Sequence, residues 1–277
     1  MSLVYQNLKS LLLLYFTPAT KTPITFLFLS FIAVTTITCS GSFNLETTAI
    51  SEPSPSEQEK QQPLTPIQDT PGLPRVLLIG DSISIGYTIP VRNMLKGEAN
   101  VHRPSTNCGP TTKGIEQIED WLGDGNWDVI HFNFGLHDLK YMGPKGEHLA
   151  DPKLPTSHPQ VPLDQYEQNL EKLVQRLRQT NAKLIWRNTT PVPPGARGRI
   201  VGDAKKYNDV AKKIMDEAGI SIDDHFRFSL ENMKEIQRPK NVHFTPAGSR
   251  KLAELAVKAI RTALKNQQTS NSGGEVP

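Results

Sequence analysis

The sequence predicts an α/β fold, a three-layer α/β/α sandwich around a mainly parallel five-stranded sheet. Short, continuous apolar runs such as Val76–Ile79 lie between turn-forming residues, as expected of strands buried on both faces. Amphipathic helical stretches alternate with these runs. Strands separated by helices pair in parallel, with helices packed on either face. The 277 residues are enough for one domain of ordinary size plus an N-terminal extension.

The first strand, Val76–Ile79, is bounded by Pro74 and Gly80, and a helix is expected over residues 88–97. A second strand over Val101–Arg103 precedes a helix at 113–122, and residues 127–134 form the third strand. Residues 163–180 make a long helix with Leu170, Leu173, Val174 and Leu177 on one face. Ala182–Arg187 is the fourth strand, 203–218 a further helix, and 220–228 holds a short fifth strand. The last helix runs from Pro246 to Leu264, with proline in its first turn.

The ends of the chain differ from this regular part. Ile24–Val34 is an apolar run preceded by Lys21 and followed by small polar residues, the pattern of a secretory signal. Cys39, followed by Ser40-Gly41-Ser42, resembles a bacterial lipoprotein acceptor site, although Thr36-Ile37-Thr38 departs from the usual preceding box. Residues 1–39 are therefore expected to direct export to the cell envelope or beyond, with membrane attachment through the N-terminus. An uncleaved anchor and an ordinary cleaved signal are the alternatives. Residues 40–74, rich in Ser, Thr, Pro, Glu and Gln, are expected to be a disordered linker, and 266–277 a disordered tail. The domain proper is then 75–265.

Composition excludes several function classes. A net charge of +3 with 21% charged residues, and no basic stripe interleaved with aromatics, gives no sign of nucleic-acid binding. Two cysteines without CxxC spacing provide neither a disulfide framework nor a zinc site, and Cys108 is expected to be a buried apolar residue. His148, Asp151 and His158 match no metal-ligand spacing. No metal or cofactor is expected, and the protein is read as a monomer.

In open parallel sheets, function gathers at the carboxyl ends of the strands. Gly80-Asp81-Ser82 follows the first strand, where a tight turn leads into a helix whose first N–H groups can face an anion. Ser82 is either a nucleophile there or, with Asp81, a helix cap. A serine nucleophile needs a base. His243, in the loop before the last helix, is the best placed, unless it is an ordinary exposed histidine. Asn107-Cys108-Gly109 ends the second strand, and Gly135-Leu136-His137-Asp138 ends the third.

These four blocks, in this order, resemble those of the SGNH/GDSL hydrolase family, over roughly residues 75–265. The resemblance implies a flavodoxin-like fold, Ser82 as nucleophile and His243 as base. It also implies an oxyanion hole built from the Ser82 N–H, the Gly109 N–H and the side chain at position 137. Two positions depart from the family pattern. His137 stands where the family has asparagine, and it either donates a ring N–H in the same way or merely packs. Lys240 stands where the family has the aspartate three residues before the histidine, so the group orienting His243 must be another: a backbone carbonyl, Asn241, Asp223 or Asp224.

The family cleaves esters of lipids, thioesters and acetylated polysaccharides. The loops 139–162 and 191–202 carry Tyr141, His148, His158, Arg197 and Arg199 and little apolar surface, which suits a hydroxyl-rich or anionic ligand. Short-chain, carbohydrate-linked deacetylation is therefore the favoured activity. The competing readings are an inactive, surface-tethered carbohydrate-binding module of the same fold, and a structural envelope lipoprotein.

Overall fold

The structure, a computed structural model, describes residues 62–272, with side chains up to residue 266. β1 (Arg75–Ile79) is an interior strand, and its Val76 to Ile79 are all at most 1% exposed. Burying each such side chain contributes about 1.5–3 kcal/mol. It is followed by α1 (Ser82–Met94), β2 (Asn100–His102), α2 (Thr111–Leu122) and β3 (Val129–Phe132). Next come β4 (Tyr141–Met142), β5 (His158–Pro159), α3 (Leu163–Arg178), β6 (Lys183–Arg187) and α4 (Asp203–Ala218). The chain continues through β7 (Ser221–Asp223), α5 (His225–Ile236) and α6 (Pro246–Ser272).

β2, β1, β3, β6 and β7 form, in that order, a wholly parallel five-stranded sheet. α1, α5 and α6 pack together, and α2, α3 and α4 form the other helical layer. The expected sandwich is therefore present. The chain leaves β1 toward β2 and then returns to β3 on the other side of β1. Such a reversal opens a crevice beyond the carboxyl ends of β1 and β3, where ligands bind in this class of sheet.

Several boundaries differ from expectation. α1 begins at Ser82, six residues before the expected start, and contains Pro90. Proline reads in sequence as a helix start, but this one sits inside the helix and removes the bond to the carbonyl four residues earlier. α5 was not foreseen. It is capped by Asp224, whose side chain accepts from the Arg227 N–H at 3.0 Å. The small antiparallel β4–β5 pair within the loop after β3 was also unexpected.

The expected linker is too long at its C-terminal end, because residues 62–74 are fastened to the edge of the sheet. The Asn100 side chain bonds Thr70 N–H (2.8 Å), Thr70 O (3.0 Å) and Leu73 O (3.2 Å). Asp69 pairs with Arg75 (3.0 Å) and His102 (2.5 Å). A polar segment can thus be ordered by hydrogen bonds that its apolar content does not reveal. At the other end, α6 continues to Ser272, well into the expected tail. The export segment 1–39 and linker residues 40–61 lie outside the described residues. Among the described residues, no helix is long and apolar enough to cross a membrane.

Candidate active site

The turn after β1 separates the two roles that the sequence left open for Asp81 and Ser82. Asp81 is the N-cap of α1, accepting from the Ile83 N–H at 3.0 Å. Ser82 is the first helical residue, and its own N–H has no acceptor among the described residues. Its hydroxyl lies 2.9 Å from Nε2 of His243, 161 residues away in sequence.

His243 is held by the segment between α5 and α6. The His243 carbonyl accepts from the Arg238 N–H at 2.9 Å, and Thr245 N–H donates to Ile236 O at 2.9 Å. Buried Gln237 donates from Nε2 to Pro191 O and Val242 O, both at 3.0 Å. Asn241 Oδ1 lies 3.0 Å from the His243 backbone nitrogen and 2.8 Å from its ring Nδ1. A backbone N–H can only donate, so the facing amide atom is the oxygen, and Nδ1 must carry the ring proton. Nε2 is left unprotonated toward Ser82, the tautomer a general base requires. Burial, reinforced by Arg199 and Arg238 and opposed by Asp81, holds the His243 pKa below its ordinary value.

Of the three side chains expected as candidates to orient the ring, only Asn241 touches His243. Asp224 caps α5 and accepts from Asn188 Nδ2 at 2.6 Å. Asp223 Oδ2 instead lies 2.9 Å from Nε2 of both His131 and His225. Burial alone would raise this carboxyl, but the two imidazoles hold it well below the usual range. Among the described residues, His131, Asp223 and His225 are the one trio whose atoms, all within 4.8 Å of one another, could surround a metal ion. They are completely buried, and the Arg187 cation lies within electrostatic range of His225. Such a neighbour opposes a second cation, so the trio reads as an internal carboxylate–imidazole cluster. His148, Asp151 and His158 form no comparable group: His148 Nδ1 meets Lys140 Nζ at 3.0 Å, and His158 Nδ1 faces Pro159 O.

The oxyanion donors differ in availability. The His137 carbonyl accepts from the Lys140 N–H at 3.3 Å, and no hydrogen bond involves its ring among the described residues. Its pKa is lowered to about 4, chiefly by burial, with Asp81 opposing and Lys140, Arg199 and His148 reinforcing. It is therefore neutral at ordinary pH and donates, if at all, from a neutral ring. The Gly109 N–H is already directed to Asn107 Oδ1 at 3.0 Å, so a substrate oxygen would have to share or displace that acceptor. Gly109 itself needs its glycine backbone, at φ +66°.

Two supporting residues were not anticipated. Arg103, 5% exposed, spans the β1 and β2 ends. Nη1 donates to Ser84 Oγ (3.0 Å) and Thr88 Oγ1 (2.9 Å), and Nη2 to Gly80 O and Thr106 O (both 3.2 Å). It thereby fixes the turn that presents Ser82. Asp138, next to His137, accepts from Thr111 N–H (2.8 Å) and Oγ1–H (2.5 Å) and ties the loop after β3 to the start of α2. Burial pushes its carboxyl up to about 6. No sequence pattern distinguishes a buried arginine from a surface one. The adjacency of Asp138 to the Gly135-Leu136-His137 block was the available signal. Cys108 is buried, as expected.

A cleft of about 370 Å³ opens beside the pair, lined by Ser82, Ile83, Gly86, Pro90, Arg238, His243, Phe244, Pro246 and Ser249. The family model described as GDSL-like lipase/acylhydrolase matches residues 78–251. The chain belongs to this family. The GDSL-like hydrolase shares its fold with an acetyl xylan esterase, AlAXEase, at 19% identity and TM-score 0.52, over 67% of this chain and 99% of the other. A lipase/acylhydrolase from Enterococcus faecalis is 18% identical with TM-score 0.55, over 69% and 96% of the two chains. Axe2, an acetylxylan esterase from Geobacillus stearothermophilus, is 19% identical with TM-score 0.55, over 67% and 93%. No curated protein sequence matches the chain. The family identifies the hydrolase as an enzyme acting on carboxylic esters.

Proposed function

We propose that this GDSL-like hydrolase removes short acyl groups, acetyl above all, from carbohydrate through an acyl-enzyme on Ser82. The observation that carries the proposal is the 2.9 Å approach of Ser82 Oγ to a His243 ring whose tautomer Asn241 fixes. In this reading Ser82 Oγ attacks the ester carbonyl carbon as its proton passes to His243 Nε2. The developing oxyanion takes hydrogen bonds from the Ser82 N–H and the neutral His137 ring, with Gly109 contributing if Asn107 yields its bond. Collapse breaks the bond to the alcohol oxygen, which leaves with the proton from His243. Water then attacks the acyl-enzyme, His243 takes a proton from it, and the carboxylic acid departs as Ser82 recovers its hydrogen.

The short-chain preference is supported by the cleft. At about 370 Å³ it has room for a short acyl group against Ile83, Pro90, Phe244 and Pro246, with Arg238 and Ser249 beside them. The acetyl xylan esterase activity of AlAXEase and Axe2 agrees with an acetylated carbohydrate, although likeness at 19% identity speaks for fold alone. Export and N-terminal membrane attachment belong to the same proposal and rest on the Ile24–Val34 run and Cys39.

The test is acetate release from acetylated xylo-oligosaccharides, together with p-nitrophenyl acetate and octanoate and fluorophosphonate labelling. Release by the wild type, its loss in Ser82→Ala, and a faster acetate than octanoate ester are expected. Activity surviving in Ser82→Ala would remove the proposal, and an unlabelled Ser82 would favour a binding module. Cell fractionation of the full chain and its Cys39→Ala variant tests the attachment.

A further inference from the structure

The turn that presents Ser82 also carries a buried charge. Asp81 Oδ1 accepts from the Ile83 N–H at 3.0 Å, so the carboxylate sits over the same first turn of α1 whose Ser82 N–H would receive the oxyanion. A carboxylate at a helix N-terminus suits the helix, but it repels a second anion arriving there. Asp81 is 2% exposed, and its Oδ2 has no hydrogen-bond partner among the described residues. A buried anion of this kind needs an opposite charge.

Arg187, at the end of β6 and 1% exposed, provides it. Its Nη2 lies 3.7 Å from Asp81 Oδ1 and donates to Asn133 Oδ1. Asn133 Nδ2 donates in return to the Arg187 carbonyl at 2.7 Å, so the guanidinium is held from the end of β3. The Tyr87 ring of α1 is centred 6.0 Å from its Cζ. Asp223, the residue opposite Arg187 on β7, is taken by His131 and His225. The other titratable groups around Asp81 are Tyr87, Arg103, Cys108, His137, Arg199 and His243. Arg103 directs Nη1 and Nη2 to Ser84, Thr88, Gly80 O and Thr106 O instead. Among the described residues, Arg187 is the one ion-pair partner of Asp81.

We propose that Arg187 is a positioning residue for the ester hydrolysis: facing Asp81 beneath the start of α1, it cancels that carboxylate's field and leaves the Ser82 N–H receptive to an oxyanion. It acts through Asp81 and touches neither substrate nor the reacting atoms. Without it, a bare carboxylate disfavours the oxyanion and favours the His243 imidazolium; burial holds the His243 pKa down, and Asp81 already opposes that. This rests on the ester-hydrolase reading above but not on which acyl group or alcohol the ester contains.

The test is kcat and KM for p-nitrophenyl acetate across pH. Arg187→Gln should lose about tenfold in kcat with KM little changed, roughly one charge contact in the transition state. The midpoint of its rise with pH should move upward. Arg187→Lys keeps the charge and should hold both the midpoint and most of the rate. Asp81→Asn, which keeps a capping side chain, should move the midpoint downward. Asp81→Asn/Arg187→Gln removes both charges and should recover most of the lost rate and the wild-type midpoint. A packing role for Arg187 predicts no such rescue. A double variant no faster than Arg187→Gln, or midpoints that stay put in both single variants, would overturn the proposal. Should Arg187→Gln not fold, the Asp81→Asn midpoint and its reversal in the double variant decide the matter, and an unmoved or unreversed midpoint overturns it. A wild type that fails to hydrolyse p-nitrophenyl acetate would instead overturn the esterase reading itself.

Discussion

Asn241, one residue after the position where the resemblance implies an aspartate, orients the His243 ring with a dipole in place of a charge. Because its oxygen also receives the His243 backbone N–H, the ring tautomer is already correct, and only the stabilisation of the imidazolium is missing. Asn241→Asp should therefore raise kcat/KM about fivefold, a gain of roughly one kcal/mol. The pH profile gives the sign. His243 acts unprotonated and its pKa is lowered, so the rate should climb with pH through a midpoint below the ordinary histidine value. A carboxylate at 241 favours the protonated ring and should move that midpoint upward. An unmoved midpoint would mean that Asn241 acts only through the backbone. His137→Asn should keep most activity, because an amide N–H replaces a neutral ring N–H. His137→Ala should lower kcat about 10²–10³-fold, as loss of one oxyanion donor does. Ser82 and His243 were legible because each stands in a short local motif. Asn241 remained one of several candidates because the choice among them depends on distances that sequence does not contain.

At the scale of elements, the segments that present these side chains are set by a few close contacts. A Cβ on Gly248 would come within 2.2 Å of Ile236 O, which is backbone and cannot swing away. Gly248→Ala should therefore push the start of α6 from the end of α5 and cost about 1–3 kcal/mol. Because His243 lies just upstream, kcat should fall as well, and thermal melting together with steady-state rates would show both. Arg103→Ala should orphan buried acceptors at the ends of β1 and β2, each worth about 1–3 kcal/mol. The variant should melt several degrees lower even though the residue touches no substrate. The hydrophobic runs of β1, β3 and β6 revealed those strands, because burial on both faces leaves a continuous apolar signature. α5 was hidden, since its helix leaves Leu230 exposed and shows only a capping aspartate. The start of α1 was obscured by Pro90, whose place inside the helix is visible only in the folded chain.

For the whole molecule, acid stability is decided by several groups acting in opposite senses. His137 titrates near 4 when folded, and His225 and His243 are likewise lowered by burial, so the unfolded chain binds more protons just below the ordinary histidine value. Their contributions are present above the unfolded pKa of about 6.5 and fade as pH falls through the folded values. Asp138, raised to about 6, acts the other way between its unfolded and folded values. The net expectation is a melting temperature that drops from pH 7 to pH 5, with a shallower slope in His137→Asn; a parallel slope would show that His137 does not contribute. The sheet and its two helical layers followed from the alternation of runs and helices. The anchoring of residues 62–74 did not, since it depends on the amide of Asn100 rather than on any apolar pattern. One consequence follows from the 161 residues that separate the serine from its base. A ribosome must release almost the entire domain before the two can meet, and a chain that ends before His243 lacks the base altogether. Turnover of an ester thus reports that the chain has folded through to the segment carrying His243, which α6 closes against α1 and the sheet.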